Sequence, residues 1–334
     1  VGIAEHVDRF QRQHPVLGFP LAVVYKFFDD QAGYLVALIA YYAFLSFFPL
    51  LLLFTTLLGA VLQSRPDLQE RLLESTLAEI PVLGAQLGDP GTLQGSTIGI
   101  VASGVVALYG GLGIGQAFQY AMNTAWGVPR NSRPNPFKAR ARSFVLLLNV
   151  LLFVAATTGL SVVATTGLIS YPATTRVLLT IAQYAVTALV FALAMRRAVA
   201  RDVGLKDVAL GALGAAATWQ MVQYFGVGLV ERATESSSSN GIFAIVIGLF
   251  AFFHLAAMGI VLSAEADVVR HARLWPRALL TPFTDNVDLT DGDRRAYTQQ
   301  ARIGRFKGYQ QIDVGFDTRP ESAEGDVTRS GPQT

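Results

Sequence analysis

Residue types that do chemistry are scarce in this 334-residue chain, and their spacing matches no familiar catalyst. There is no cysteine, which excludes disulfides, thiolate nucleophiles, iron–sulfur clusters and zinc–thiolate sites. The four histidines, His6, His14, His254 and His271, lie in separate segments without an H-x-H or H-E-x-x-H pair to build an open metal site. No G-x-S-x-G turn supports a serine hydrolase, and no G-x-x-x-x-G-K-[ST] loop supports nucleotide hydrolysis. The run Tyr109-Gly-Gly-Leu-Gly-Ile-Gly115 has the composition of a phosphate loop but sits inside a charge-free stretch, where small residues let helices approach closely. The expectation is a protein that is not an enzyme and needs no metal or cofactor.

What remains is a set of polar side chains inside apolar runs, where they are costly and face a bundle interior or a watery cavity. Gln116, Gln119 and Asn123 fall within about 60° of one another on a helix of 3.6 residues per turn. Gln220 and Gln223 make a similar pair further on, while Asn149 and Gln183 are isolated. His254 and Glu265 are eleven residues apart, about 20° from alignment. For Glu265, locking the bundle through an arginine of an inner connection and lining a pathway weigh equally. For His254, core packing outweighs a pathway role.

The elements that must hold these residues follow from the charge distribution. Hydrophobic residues make up 52% of the chain and charged residues only 15%, well under the roughly quarter found in soluble domains. Six stretches carry no charge at all, at 31–64, 90–129, 143–175, 177–195, 208–230 and 236–264. A bilayer core about 30 Å thick needs roughly 20 apolar helical residues, so the reading is an all-α polytopic membrane protein with six spans near 32–62, 97–120, 143–168, 177–195, 208–230 and 241–263. Lysines and arginines outside these spans divide 22 to 4 between alternate sides, which places both termini in the cytoplasm. The charged residues before the first span argue against a cleaved signal peptide.

Three domains follow: a cytoplasmic N-terminal segment 1–31, a membrane domain 32–275 and a mostly disordered cytoplasmic tail 276–334, rich in Asp, Gly, Thr and Arg. The first span exceeds the hydrocarbon thickness and contains Pro49, which predicts a kinked or broken helix, with Ser46 placed to re-satisfy backbone groups there. Residues 65–88 set Leu68, Leu72, Leu73, Leu77 and Ile80 at helical spacing, an amphipathic helix on the outer surface. The inner connection 126–142 holds three prolines and a basic cluster, Arg130, Arg133, Lys138, Arg140 and Arg142, suited to anionic headgroups as well as to fixing topology. Ser236–Ser239 forms an outer loop, with Asn240 the N-cap of the last span.

Three motifs carry a resemblance. Ala40-Tyr41-Tyr42-Ala43-Phe44-Leu45-Ser46-Phe47-Phe48-Pro49-Leu50 is similar to the pattern A-Y-x-x-x-x-S-x-x-P-L of the YihY/BrkB family of bacterial inner-membrane proteins, formerly misnamed ribonuclease BN. Ala121-Met122-Asn123-Thr124-Ala125-Trp126 resembles that family's A-x-N-x-x-W, and Leu262-Ser263-Ala264-Glu265 its L-G-A-E, with Ser263 in place of glycine. The resemblance covers about 20–275 and implies a six-span envelope protein associated with lipid or lipopolysaccharide-precursor export. The function expected first is transport or flipping of a lipid or other amphipathic envelope component through a polar groove lined by Ser46, Gln116, Gln119, Asn123, Gln220, Gln223 and Glu265, with anionic membrane lipids as partners and the basic connection gathering their headgroups. The alternative is a scaffold that binds envelope proteins without transporting. A nuclease acting on nucleic acid ranks last, for want of a catalytic constellation.

Overall fold

The computed structural model describes residues 3–61, 97–165, 173–235, 241–282 and 287–316. Among them every regular element is helical, as expected: α1 (Ile3–Gln13), α2 (Pro15–Asp29), α3 (Ala32–Val61), α4 (Thr97–Ala125), α5 (Pro136–Thr165), α6 (Ala173–Ala198), α7 (Ala209–Glu235), α8 (Gly241–Ala272) and α9 (Asp291–Ile303), with one 3-10 turn at Arg130–Ser132. The six long helices, α3 to α8, contain 30, 29, 30, 26, 27 and 32 residues and fall on the six charge-free stretches. The anticipated amphipathic helix at 65–88, the Ser236–Ser239 loop and the Asn240 cap lie outside the described residues.

Among the described residues, two stretches, Ala32–Leu50 and Val246–Ala272, are long and apolar enough to cross a membrane by length and composition. Only 33% and 28% of their most apolar windows are buried within the fold, whereas a soluble core helix hides most of its apolar surface. Leu38, Leu108, Leu148, Leu152, Leu178, Ile181 and Ile247 all point outward. A surface of this kind suits lipid tails and is unfavourable against water.

Among the described residues, a packed core lies at one end of the bundle. The buried core joins the start of α3 (Ala32, Leu35, Val36, Ile39), the end of α4 (Ala121, Met122, Ala125, Trp126), the end of α6 (Met195, Ala198, Val199), the start of α7 (Ala212, Ala215) and the end of α8 (Val261, Val268, Val269). The connections 126–135 and 199–208 turn the chain at this end. α2 closes that end by inserting Ala22 and Val23 into the same core. The N-terminal segment is therefore part of the packed structure.

Of the two outcomes expected at Pro49, the break does not occur: α3 continues through it as one helix. Ser46 does not serve the group that Pro49 leaves free; its Oγ donates back to the Tyr42 carbonyl at 2.8 Å. The tail is also more ordered than its composition implied. Thr290 caps α9 through a reciprocal pair with Asp293, and Arg277 is buried between Asp293, 2.5 Å from its Nε, and Asp29, 3.0 Å from its Nη1. Buried ion pairs of this geometry fasten α9 to the bundle and offset the entropy of ordering a polar helix.

Candidate functional site

The glycines of α4 explain how its polar residues reach their partners. A Cβ on Gly110 would lie 3.0 Å from the Ser46 Cα, and one on Gly115 would lie 2.9 Å from the Ser143 Cα. Only hydrogen fits at these crossings, as the packing reading of Tyr109–Gly115 requires. Ser46 is wholly buried against Gly110 at the α3–α4 crossing. Ser143 faces Gly115 in the same way from α5.

One turn below, Gln119 donates to the Ser143 Oγ at 2.8 Å and to the Ala139 carbonyl at 3.0 Å, tying α4 to α5. Asn123 donates to the Ala198 carbonyl at 3.2 Å and accepts from the Ala200 N–H at 2.7 Å, which caps the buried C-terminal end of α6. Gln116, expected on the same stripe, is exposed. Gln220 and Gln223 on α7 are half-buried, and Gln223 is engaged by a neighbour. The predicted groove residues are thus not gathered in one lining: Ser46, Gln119 and Asn123 join helices, and Gln116 faces outward. Asn149, read as isolated, accepts from Arg197 at 2.7 Å. His254 stacks on Phe250, in keeping with a packing role.

Glu265 is fully buried, and its partner is Lys26 of α2, with Nζ 3.4 Å from Oε2, rather than an arginine of an inner connection. Lys26 also pairs with Asp30, one turn later, and donates to the Ala125 carbonyl at the end of α4 at 3.1 Å. All three charged side chains are at least 96% buried. Neither Glu265 oxygen has a hydrogen bond among the described residues. One ammonium therefore faces two carboxylates in a dry site. Burial pushes Lys26 down, but the Glu265 and Asp30 carboxylates outweigh it and hold the ammonium above its ordinary value. Burial, with the neighbouring Asp29 charge, holds the Asp30 carboxyl above its ordinary value against the pull of Lys26. With a firmly charged lysine and two competing acids, the cluster is neutral when it keeps one extra proton on the acids.

Lys26 and Asp30 were absent from the sequence-derived site. Their i,i+4 spacing was visible as a helical ion pair, but nothing local shows that α2 folds back onto α8. Asp267 was also missed; it is buried, and its Oδ1 accepts from the Gly211 N–H at 2.8 Å at the start of α7. A carboxylate at a helix N-terminus satisfies free N–H groups there.

The basic connection divides in use. Arg133 turns inward, donating from Nε to the Val128 carbonyl at 3.1 Å and from Nη2 to Thr124 at 3.2 Å, so it closes the end of α4. Arg130 covers the Phe306 ring at 4.8 Å. Lys138, Arg140 and Arg142 stay exposed on the first turns of α5.

Neither the curated proteins nor the solved structures provide a match to this chain. The family model described as Virulence factor BrkB matches residues 23–282, from within α2 to just beyond α8. That stretch holds Lys26, Asp30, the glycine crossings, Gln119, Asn123 and Glu265, and the chain belongs to the virulence factor BrkB family.

Proposed function

We propose that this protein spans the bacterial cytoplasmic membrane six times, with both termini in the cytoplasm, and that it moves or flips a lipid or other amphipathic envelope component. The observation that carries the reading is the buried Lys26–Asp30–Glu265 cluster, set where α2 meets the ends of α4 and α8. A dry cluster with unequal charge costs several kcal/mol that apolar packing would not. In a membrane helix such a group ordinarily marks a route or a relay. The polar contacts of Gln119 and Asn123 then belong to a closed conformation, which opens by exchanging helix-to-helix bonds for bonds to a headgroup. Exposed Lys138, Arg140 and Arg142 would hold anionic headgroups near that entrance.

Reconstitution tests this. A labelled anionic lipid should equilibrate across vesicles containing the protein faster than across empty ones, and Glu265→Gln should slow it by about tenfold while the protein still folds. Equal rates with and without protein would remove the transport reading. The scaffold alternative has its own support: Gln119 and Asn123 spend their polar groups on neighbouring helices and Ser46 spends its own on the preceding turn of α3, as in a rigid platform. Under that reading Glu265→Gln would change stability and leave lipid movement at the protein-free rate.

A further inference from the structure

The docked α9 helix builds a second polar feature, separate from the Lys26–Glu265 cluster. Its two faces differ in use. At 100° per residue, Asp293, Ala296, Tyr297 and Gln300 share one side, while Arg294, Arg295, Thr298, Gln299 and Arg302 occupy about 140° of the other. The first side is fastened: Asp293 pairs with buried Arg277, and Gln300 donates to the Asp29 carbonyl. The second side forms one wall of a cavity of about 460 Å³, whose opposite wall is Gly127, Pro129, Ala272 and Leu274.

The walls meet closely because Gly127 adopts φ +63°, a conformation that favours glycine, and Gln299 sits where a Cβ at 127 would be. Arg295 is held at the rim by two hydrogen bonds, at 3.0 and 2.6 Å, to the Arg273 carbonyl. Arg294 and Arg302 make hydrogen bonds through their backbone alone, and their guanidinium groups have no partner among the described residues. Three arginines thus stand among the nine residues that line a hollow with Pro129, Ala272 and Leu274, and none of the nine is acidic. Asp313 lines the adjoining hollow, and Asp291 lies on the arginine side of α9, one turn before Arg294 and Arg295.

We infer that this cavity binds a phosphate-bearing molecule, the phosphate held between Arg294 and Arg302 and an apolar part set against Pro129, Ala272 and Leu274. Guanidinium groups match phosphate oxygens in pairs, and a fixed helix keeps both at one spacing without further ordering. A site filled from solution and one filled by a lipid headgroup share this chemistry. The inference does not rest on transport, and would stand if the protein moved no lipid.

The test uses the full chain purified in detergent, with two probes. Inorganic pyrophosphate, titrated calorimetrically, reports a soluble ligand; phosphatidic acid retained from mixed micelles with phosphatidylcholine, counted by native mass spectrometry, reports a headgroup. Binding of either probe should weaken by about tenfold or more in the Arg294→Gln/Arg302→Gln double variant. It should change less than about twofold in Arg9→Gln/Arg196→Gln, which loses the same charge at two exposed positions elsewhere. Thr298→Trp, which fills the cavity while keeping every charge, should abolish binding and decides the matter if the double variant does not fold. Pyrophosphate binding with this pattern assigns a soluble phosphate compound, and phosphatidic acid binding alone assigns a lipid. No binding of either probe, or equal weakening in both double variants, overturns the site.

Discussion

Lys26 carries more of the local electrostatics than any acid beside it, because it alone offsets two buried carboxylates. Replacing it with Met strands Asp30 and Glu265 together in a dry site, and the expected cost is about 3–5 kcal/mol. Glu265→Gln should cost less, since it leaves one ammonium facing one carboxylate. The double replacement should recover part of the Lys26→Met loss. Denaturation midpoints of the three variants in one detergent check that order. Asp207, outside the long helices, supplies a pH dependence. The Gly204 N–H, donating at 2.9 Å, and then His271 hold its carboxyl below the ordinary 3.8. The folded-state value is depressed, so this contribution is complete above about pH 3.8 and is lost as pH falls through the folded value. Melting temperatures of the parent and Asp207→Asn should differ at neutral pH and converge in stronger acid.

At the scale of elements, contact between α4 and its neighbours depends on missing side chains. Gly115→Ala should push α4 from α5, because the new Cβ would meet the Ser143 backbone, and should destabilise by about 1–3 kcal/mol. Gly33→Ala, near the start of α3, meets nothing within 4 Å and should be neutral or stabilising by up to about 1 kcal/mol. Thermal unfolding of the two variants separates a packing role for the α4 glycines from simple helix propensity. The glycine run was legible as packing because it sat in a charge-free stretch. Its partners were not, since Ser46 and Ser143 are far from it in sequence. α3 is not broken at Pro49 for a related reason: losing one backbone hydrogen bond is a local cost, and the contacts α3 makes along α4 and α8 hold it as one helix. In the tail, Thr290 and Asp293 carried a readable capping signal, outweighed in composition by the polar residues around it.

For the whole molecule, the absence of cysteine makes topology directly measurable. Single cysteines at Ser132 and Asp313 should label from the cytoplasmic side, and one at Ser237 from the opposite side. Labelling of Ser132 and Ser237 from the same side would overturn the six-span arrangement. Among the described residues, the positions of the long helices were legible from the sequence alone, because each falls on a run without charge whose apolar side chains favour a backbone that bonds within itself. Membership in the family was likewise carried by short motifs that keep their spacing within single helices. Only the tertiary structure decided which polar groups meet. Lys26 lies 239 positions before Glu265, and Asp29 lies 248 before Arg277. Periodicity orders residues along one helix; it contains no information on how α2 or α9 folds back across the bundle end. That return is set by the shape of the core that alternate helices build together, and it is what joins separate charges into a buried cluster and an arginine-lined cavity.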